Sequence, residues 1–566
     1  MPNRFSKALF VALSMSSLLF MLHASDVMGR NIGLFQDGLW DFYPAVAMLK
    51  ARSVFGSQEI RIFGYPLPLV SSPYSGALKI WILAPLLALS GISPQMVLAL
   101  NVLFGLIYLL ALYWALLPVI DKKWASLVFL LPLIDANYLL TVPLDDGIFV
   151  FQYIFISLTI GALFRYLANS QLKYYWIAWF FCGCTLAQKL TSIPIVISFA
   201  IILIILSGRQ FFQLAGVLGT KQAVKRLVAF AAALFLIPLL PHLIYFSKSG
   251  LHDLFAMTAD GRRAPYFSSL GYCLSFFGRM FDGSDWYRRI TLDTVSHVTV
   301  PPYWTICGIV IAACSLLLYF TSGKNKKCGR YTMVCIGLGA CSFLLYPAFR
   351  GLDRPWHFYV LAPTFICCCF VAAADCVSRC LGGLKKRRRV GIVLLSIVFS
   401  SGVALSASHG IRMLKEVETH KGACLTSPAV YDIYNEIAAS NVRTIYTINY
   451  SLAYSFYVFS KGSVRVEDMA WTDLTRQKIE ELFKKIKMDP GAAIAYRYCG
   501  TKDWDPDWIH WLNREPQIFD FTKRLEIEDS TLDVARFRDD RQTEYVLITP
   551  TGDKKGRAAT EKQTGR

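Results

Sequence analysis

The chain has 566 residues, 55% of them hydrophobic and only 17% charged, which excludes an ordinary soluble globular domain and points to a multi-pass membrane protein. Lys and Arg number 58 against 39 Asp and Glu, a formal net charge of +19. Those basic residues sit between apolar runs, as in cytoplasmic loops, so a nucleic-acid-binding role is excluded too.

The first apolar segment is Ala8–Ala24, preceded by Arg4 and Lys7. It reads as an uncleaved first span with the N-terminus in the cytoplasm. Just beyond it comes Gln36-Asp37-Gly38-Leu39-Trp40-Asp41-Phe42-Tyr43-Pro44. Carboxylates beside a bilayer cost free energy, so Asp37 and Asp41 invite a functional reading. From Asp41 to Gly56, Ala45, Met48, Leu49 and Arg52 share one helical face, which predicts an amphipathic helix on the outer membrane surface. Two readings stand for the acids: a cap on that helix, or a general base tuned by partial desolvation.

The next stretch, Tyr65 to Lys79, is rich in Pro and Gly. It is either loop punctuation or a rigid wall beside the carboxylate, with Tyr74 and Lys79 facing a cavity. The apolar piece Ala77–Ser90 is expected in the interface. Further apolar stretches run over 96–120, 124–141, 148–167, 174–188, 191–207, 227–246, 303–321, 332–348, 358–376 and 390–408. With the first segment they predict about 11 spans, and long outer loops over 25–95 and 247–302. Basic clusters such as Lys122-Lys123 and Lys385 to Arg389 fall in the loops assigned inside, which puts the C-terminus outside.

Asp145 and Asp146 stand at the outer end of a span, with Asp135 deeper in the same span, either facing a cavity or marking a misplaced boundary. The pair suits a metal ion, an acceptor or a simple water boundary. Lys189 lies near another outer span end, and Arg350, Arg354 and His357 cluster in a late outer segment ending at Tyr359. Outer cations run against the positive-inside trend. Phosphate binding is one cause, and snorkelling or pairing with Asp353 is the other. The 15 cysteines show no zinc-ligand spacing with His; a divalent cation elsewhere stays open.

Beyond 410 the pattern changes. Strand-like runs (Thr444–Asn449, Ala492–Arg497, Tyr545–Thr549) alternate with helix-like ones (Asp473–Lys487, Asp505–Asn513). Residues 1–410 are thus read as the membrane domain, 411–550 as a small extracytoplasmic α/β domain and 551–566 as a disordered tail.

This layout resembles the C-type glycosyltransferases (GT-C), and within them the branch of protein O-mannosyltransferases and lipid A aminoarabinose transferases. The resemblance rests on the first-loop acid, the turn Leu67-Pro-Leu-Val-Ser-Ser-Pro-Tyr-Ser-Gly-Ala-Leu-Lys79, the span-end acid, the later Lys189 and the segment around Arg354, His357 and Tyr359. The family's first-loop acid is commonly followed by Glu; here Phe42 follows Asp41 and Gly38 follows Asp37, and the spacing to Gly56 favours Asp41. The resemblance implies an inverting transfer of a sugar from a polyprenyl-phosphate donor to a protein, lipid or glycan acceptor at the extracytoplasmic face of a bacterial inner membrane. Asp41, or Asp37, would be the catalytic base. Asp145 or Asp146 would hold the acceptor or an ion, and Lys189, Arg354, His357 and Tyr359 would hold the donor phosphate. The rival readings are a transporter or flippase of a lipid-linked or small polar substrate, which also needs many spans and buried charge, and a non-catalytic scaffold.

Overall fold

The computed structural model describes residues 2–34, 36–52, 59–72, 74–145, 149–218, 221–250, 266, 270–271, 309–310, 313, 327–348, 360–381, 385–421, 427–448, 452–469, 475–499, 531–538 and 543–551. These residues group into two compact units, one of 2–29 and 40–419 and one of 30–39 and 420 onwards.

The first unit is helical. It opens with α1 (Pro2–Asn31), and α2 (Gln36–Leu39) follows in the other unit. Next come α3 (Phe42–Leu49), the hairpins β1 (Glu59–Ile62) with β2 (Tyr65–Pro68) and β3 (Val70–Ser72) with β4 (Ser75–Gly76), then α4 (Leu78–Ser90) and α5 (Pro94–Leu116). Ser93 caps α5 by accepting from Met96 N at 3.1 Å, and Pro94 at the first helical position needs no amide partner there. After α6 (Lys122–Ala125) and α7 (Leu131–Ile134) come α8 (Ala136–Leu144), α9 (Phe149–Asn169), α10 (Leu172–Gln188), α11 (Ile193–Leu218), α12 (Lys221–Leu236) and α13 (Leu240–Ser249). Helix α9 packs between α5 and α10, and the later helix Ala362–Leu381 lies against α5 and α9.

Among the described residues, four helices are long and apolar enough to cross a bilayer: Ser6–Asn31, Pro94–Leu116, Phe149–Asn169 and Val228–Ser249. A fifth crossing results if Lys122–Ile134 and Tyr138–Leu144 count as one broken span, bent by 79°. The expected count of eleven is not reached among the described residues. Other apolar helices, such as Leu190–Ile205, Arg330–Leu345 and Ala362–Cys376, are shorter, and the stretch 303–321 lies largely outside the described residues. The expected span over 124–141 is broken at Asp135. Its backbone is extended and its carboxylate accepts from Tyr138 N at 3.2 Å, so it starts a new helix instead of continuing the old one.

In the second unit a five-stranded mixed sheet has the order β6-β5-β7-β9-β8: β5 (Thr444–Thr447), β6 (Arg465–Asp468), β7 (Ala492–Cys499), β8 (Leu532–Arg538) and β9 (Thr543–Pro550). Strand β5 runs parallel to β6 and β7, and β9 is antiparallel to β7 and β8. The two-residue period of the strands splits them between two faces. Ala493, Ala495, Tyr545 and Leu547 pack with Ile433, Ile437 and Phe456 on one face. Ile494, Tyr496, Val546 and Ile548 pack with Ile479, Leu482 and Ile486 on the other. Residues 30–39 join this unit through Ser455 Oγ donating to Leu34 O at 2.9 Å and Leu34 N donating to Tyr431 Oη at 3.1 Å. The runs at Asp505–Asn513 and 551–566 lie outside the described residues, apart from Thr551.

Candidate active site

Asp41 precedes α3 but does not cap it: its side chain makes no cap hydrogen bond. It is 1% exposed, and neither carboxylate oxygen has a hydrogen-bond partner among the described residues. The expected amphipathic surface helix is also corrected. Phe42, Pro44, Ala45, Val46 and Ala47 are all buried, because α3 packs against α4 and β2 and its apolar residues wrap round it rather than forming one stripe.

Lys79 sits in the first turn of α4, where Trp81 Nε1 ties the helix back to Pro68 O at 2.9 Å. The buried ammonium of Lys79 lies beside the carboxylate of Asp41. Lys79 Nζ donates to Asp145 Oδ2, stands 3.6 Å from Asp41 Oδ2 and lies 5.4 Å from the centre of the Phe42 ring. Asp145 is likewise buried, so it is not a water boundary.

The placement of Asp145 follows from α5. A Cβ on Gly105 would come within 2.3 Å of Val142 Cγ1, so glycine allows α8 to lie close. Tyr138 Oη then donates to Gly105 O at 2.9 Å, and Asn101 Nδ2 to Pro143 O at 3.0 Å. Asp145 ends α8 in the left-handed region (φ 44°), and its Oδ1 accepts from Val150 N of α9 at 3.1 Å. Its two oxygens therefore do separate work, one for the start of α9 and one for Lys79.

Two buried carboxylates thus share one ammonium. Asp41 lies in the loop between α1 and α4, outside the membrane-crossing helices. Burial lifts its carboxyl from 3.8 to about 6; the Lys79 charge pulls the other way and the Asp145 charge adds to the rise. Ser71 lies beside Asp41 as well, but its hydroxyl hydrogen bonds run to Ser75 O and Gly76 O, both at 3.4 Å. A divalent cation does not fit between Asp41 and Asp145, because the Lys79 ammonium fills that place. Among the described residues no group of three or more His, Cys, Asp or Glu could hold a metal ion.

Lys189 joins the same region through the backbone. It breaks the chain between α10 and α11 in an extended conformation and forms an antiparallel bridge with Ser75. Leu190 N donates to Tyr74 O at 2.7 Å, so Tyr74 contributes its carbonyl. Gly76 makes the approach possible: a Cβ there would lie 2.0 Å from Ala187 O. The buried Lys189 ammonium lies 4.6 Å from the centre of the Phe149 ring, one residue before the amide that Asp145 binds. Gln152 Nε2, on α9, donates to Ser192 Oγ at 2.6 Å and holds the break against that helix.

Asp41, Lys79, Asp145, Lys189 and Tyr74 therefore converge from five places in the sequence. The side chain of Asp37 lies outside the described residues, as do Asp146, Arg354, His357 and Tyr359. Sequence reasoning missed Ser71, Ser75, Gln188 and His242. Only His242 carries a usable signal, as an ionisable residue in the apolar stretch 227–246.

The fold of the chain is similar to that of ArnT, and at the level of the fold the expected likeness to the aminoarabinose transferase branch holds. The chain is similar to the crystal structure of ArnT from Cupriavidus metallidurans bound to undecaprenyl phosphate, with a TM-score of 0.56 and 12% identity over 95% of this chain and 97% of that one. Against the apo state of the same enzyme the TM-score is 0.55, with 11% identity over 97% and 98%. No family model matches the chain, and no curated protein does.

Proposed function

We propose that this protein is a multi-pass membrane glycosyltransferase that moves a sugar from a polyprenyl-phosphate donor to an acceptor hydroxyl or phosphate. The observation that carries the reading is Asp41, a fully buried carboxylate that caps no helix and stands 3.6 Å from the Lys79 ammonium, in a chain with the ArnT fold. In ArnT that fold was crystallised with undecaprenyl phosphate. The reaction face is extracytoplasmic, the sheet unit lies on that side, and the home is a bacterial inner membrane.

The chemistry needs a base, a grip on a phosphate and an electrostatic balance between them. Asp41 takes the proton of the acceptor hydroxyl as its oxygen attacks the anomeric carbon. The bond from that carbon to the phosphate oxygen breaks, and the lipid phosphate leaves with the electron pair. Lys189, with Arg354, His357 and Tyr359, stabilises the charge gathering on that phosphate. Lys79 keeps Asp41 ionised near neutral pH, because its ammonium opposes the rise that burial causes. Asp145 fixes Lys79 in that role and helps to orient the acceptor. One displacement inverts the anomeric centre.

The test uses the purified chain in liposomes with a radiolabelled polyprenyl-phosphate sugar. Release of free polyprenyl phosphate that disappears in Asp41→Asn supports the transferase. Movement of intact labelled lipid between leaflets, with no release, identifies a flippase instead.

A further inference from the structure

Beside the charged centre lies a second set of polar side chains with no part in the mechanism above. Ser75 on β4, Gln188 at the end of α10 and His242 on α13 come from three separate elements. Ser75 and Gln188 are 0% exposed and His242 is 2% exposed. Ser75 Oγ, both polar side-chain atoms of Gln188 and His242 Nε2 have no hydrogen-bond partner among the described residues.

The backbone draws the three together. A Cβ on Gly76 would lie 2.0 Å from Ala187 O and 2.9 Å from His242 Cε1, so the residue after Ser75 touches the residue before Gln188 and the edge of the imidazole. Leu69 and Val70 pack with Tyr245 and Phe246 and hold the β3–β4 hairpin on α13. Buried polar atoms left unpaired cost stability, and an ionisable side chain in a membrane-crossing helix is rarely kept without a task. Four such atoms on converging elements call for a ligand that supplies their partners.

The chemistry of the three groups defines that ligand. Hydroxyl, amide and neutral imidazole each offer both a donor and an acceptor, and none carries a fixed charge. Sugar hydroxyls, which also donate and accept, are the matching class; an ammonium or carboxylate would find no opposite charge among these three side chains. Gln188 also precedes Lys189, the residue assigned above to the donor phosphate, and the transferred sugar is bonded directly to that phosphate. We propose that Ser75, Gln188 and His242 bind hydroxyls of an uncharged sugar carried by the lipid-phosphate donor, an assignment that rests on the glycosyltransferase reading.

The test measures binding to the full chain in detergent by native mass spectrometry. The probes are undecaprenyl phosphate, the same lipid phosphate carrying glucose, galactose or mannose, and one carrying an aminopentose. The wild type is expected to hold at least one uncharged-sugar lipid about tenfold more tightly than the bare lipid phosphate, and more tightly than the aminopentose lipid. Ser75→Ala, Gln188→Met and His242→Phe should each erase most of that preference and leave binding of undecaprenyl phosphate unchanged. Ser75→Ala removes one oxygen and guards against misfolding as the cause. A preference that survives in Ser75→Ala and in the other variants that fold overturns the proposal, as does equal weakening of every lipid or a wild-type preference for the aminopentose. A wild type that binds none of the lipids sinks the transferase reading itself.

Discussion

Lys79 and Asp145 form an ion pair in the interior although 66 residues separate them in the chain. Burying such a pair is seldom a net gain in stability, because both ions lose their water. Its value lies in what stands next to it: Asp41 is 3.6 Å from the same ammonium. The pair is therefore read as an electrostatic device for a neighbouring carboxylate, and that reading has measurable consequences.

Replacing Asp41 by Asn should reduce transfer by about 10²- to 10⁴-fold, the usual worth of a positioned general base. The fold should not suffer. The Asp41 carboxyl has its folded value raised from 3.8 to about 6, so the folded state keeps the proton longer than the unfolded chain does. Stability falls as pH rises through that window, and above it the ionised side chain costs on the order of 3 kcal/mol. Asp41→Asn removes that cost, so its Tm in detergent at neutral pH should equal or exceed the wild-type value. A variant that is both inactive and much less stable would mark Asp41 as a structural residue.

The pH profile should show the same group. Asp41 must be ionised to accept a proton, so the rate is expected to rise with pH through about 6 and then level off. Lys79→Met removes the charge that holds the carboxyl down and leaves burial and Asp145 to push it up. The acid limb should then move about one unit or more towards higher pH, with part of the activity regained under alkaline conditions. A lower rate with an unmoved limb would separate Lys79 from the ionisation of Asp41.

The sequence placed Asp41, Asp145 and Lys189 as candidates because charge at span ends is conspicuous against apolar flanks. It could not reveal that Lys79 links the two acids. That contact depends on Gly105 bringing α8 onto α5 and on Trp81 fastening α4, packing events with no local signature. The strand runs near Thr444, Ala492 and Tyr545 were legible because both faces of the sheet are covered, which makes its strands short, nearly continuous apolar runs rich in β-branched and aromatic residues. Hydropathy read 124–141 as continuous because a single Asp135 barely changes an average, yet one carboxylate is enough to start a new helix. The helix at Phe42 misled for the opposite reason: Arg52 suggested a polar face, but α3 ends at Leu49.

Asp135 offers a contrast with the proposed site. Asp135→Ala removes the acceptor for Tyr138 N and should destabilise the protein by about 1 kcal/mol, the usual worth of a helix cap. The KM for donor and the pH profile should stay at wild-type values, because this carboxylate works for α8 rather than for substrate. Kinetics with an altered acid limb would instead place Asp135 within the electrostatics of the site.

Gly76→Val tests whether the β3–β4 hairpin positions the donor site. A Cβ at this position would come within 2.0 Å of Ala187 O, a backbone atom that cannot swing aside as a side chain would. The hairpin must withdraw from α10, which stretches the Ser75–Lys189 bridge and the 2.7 Å bond from Leu190 N to Tyr74 O. Overpacking of this kind costs about 1–3 kcal/mol, so a lower Tm is expected. The informative result is kinetic. If Lys189 grips the donor phosphate, its displacement should raise the donor KM, while the acid limb set by Asp41 and Lys79 stays near pH 6. An unchanged donor KM in a correctly folded Gly76→Val chain would show that the hairpin does not set the position of Lys189 for substrate.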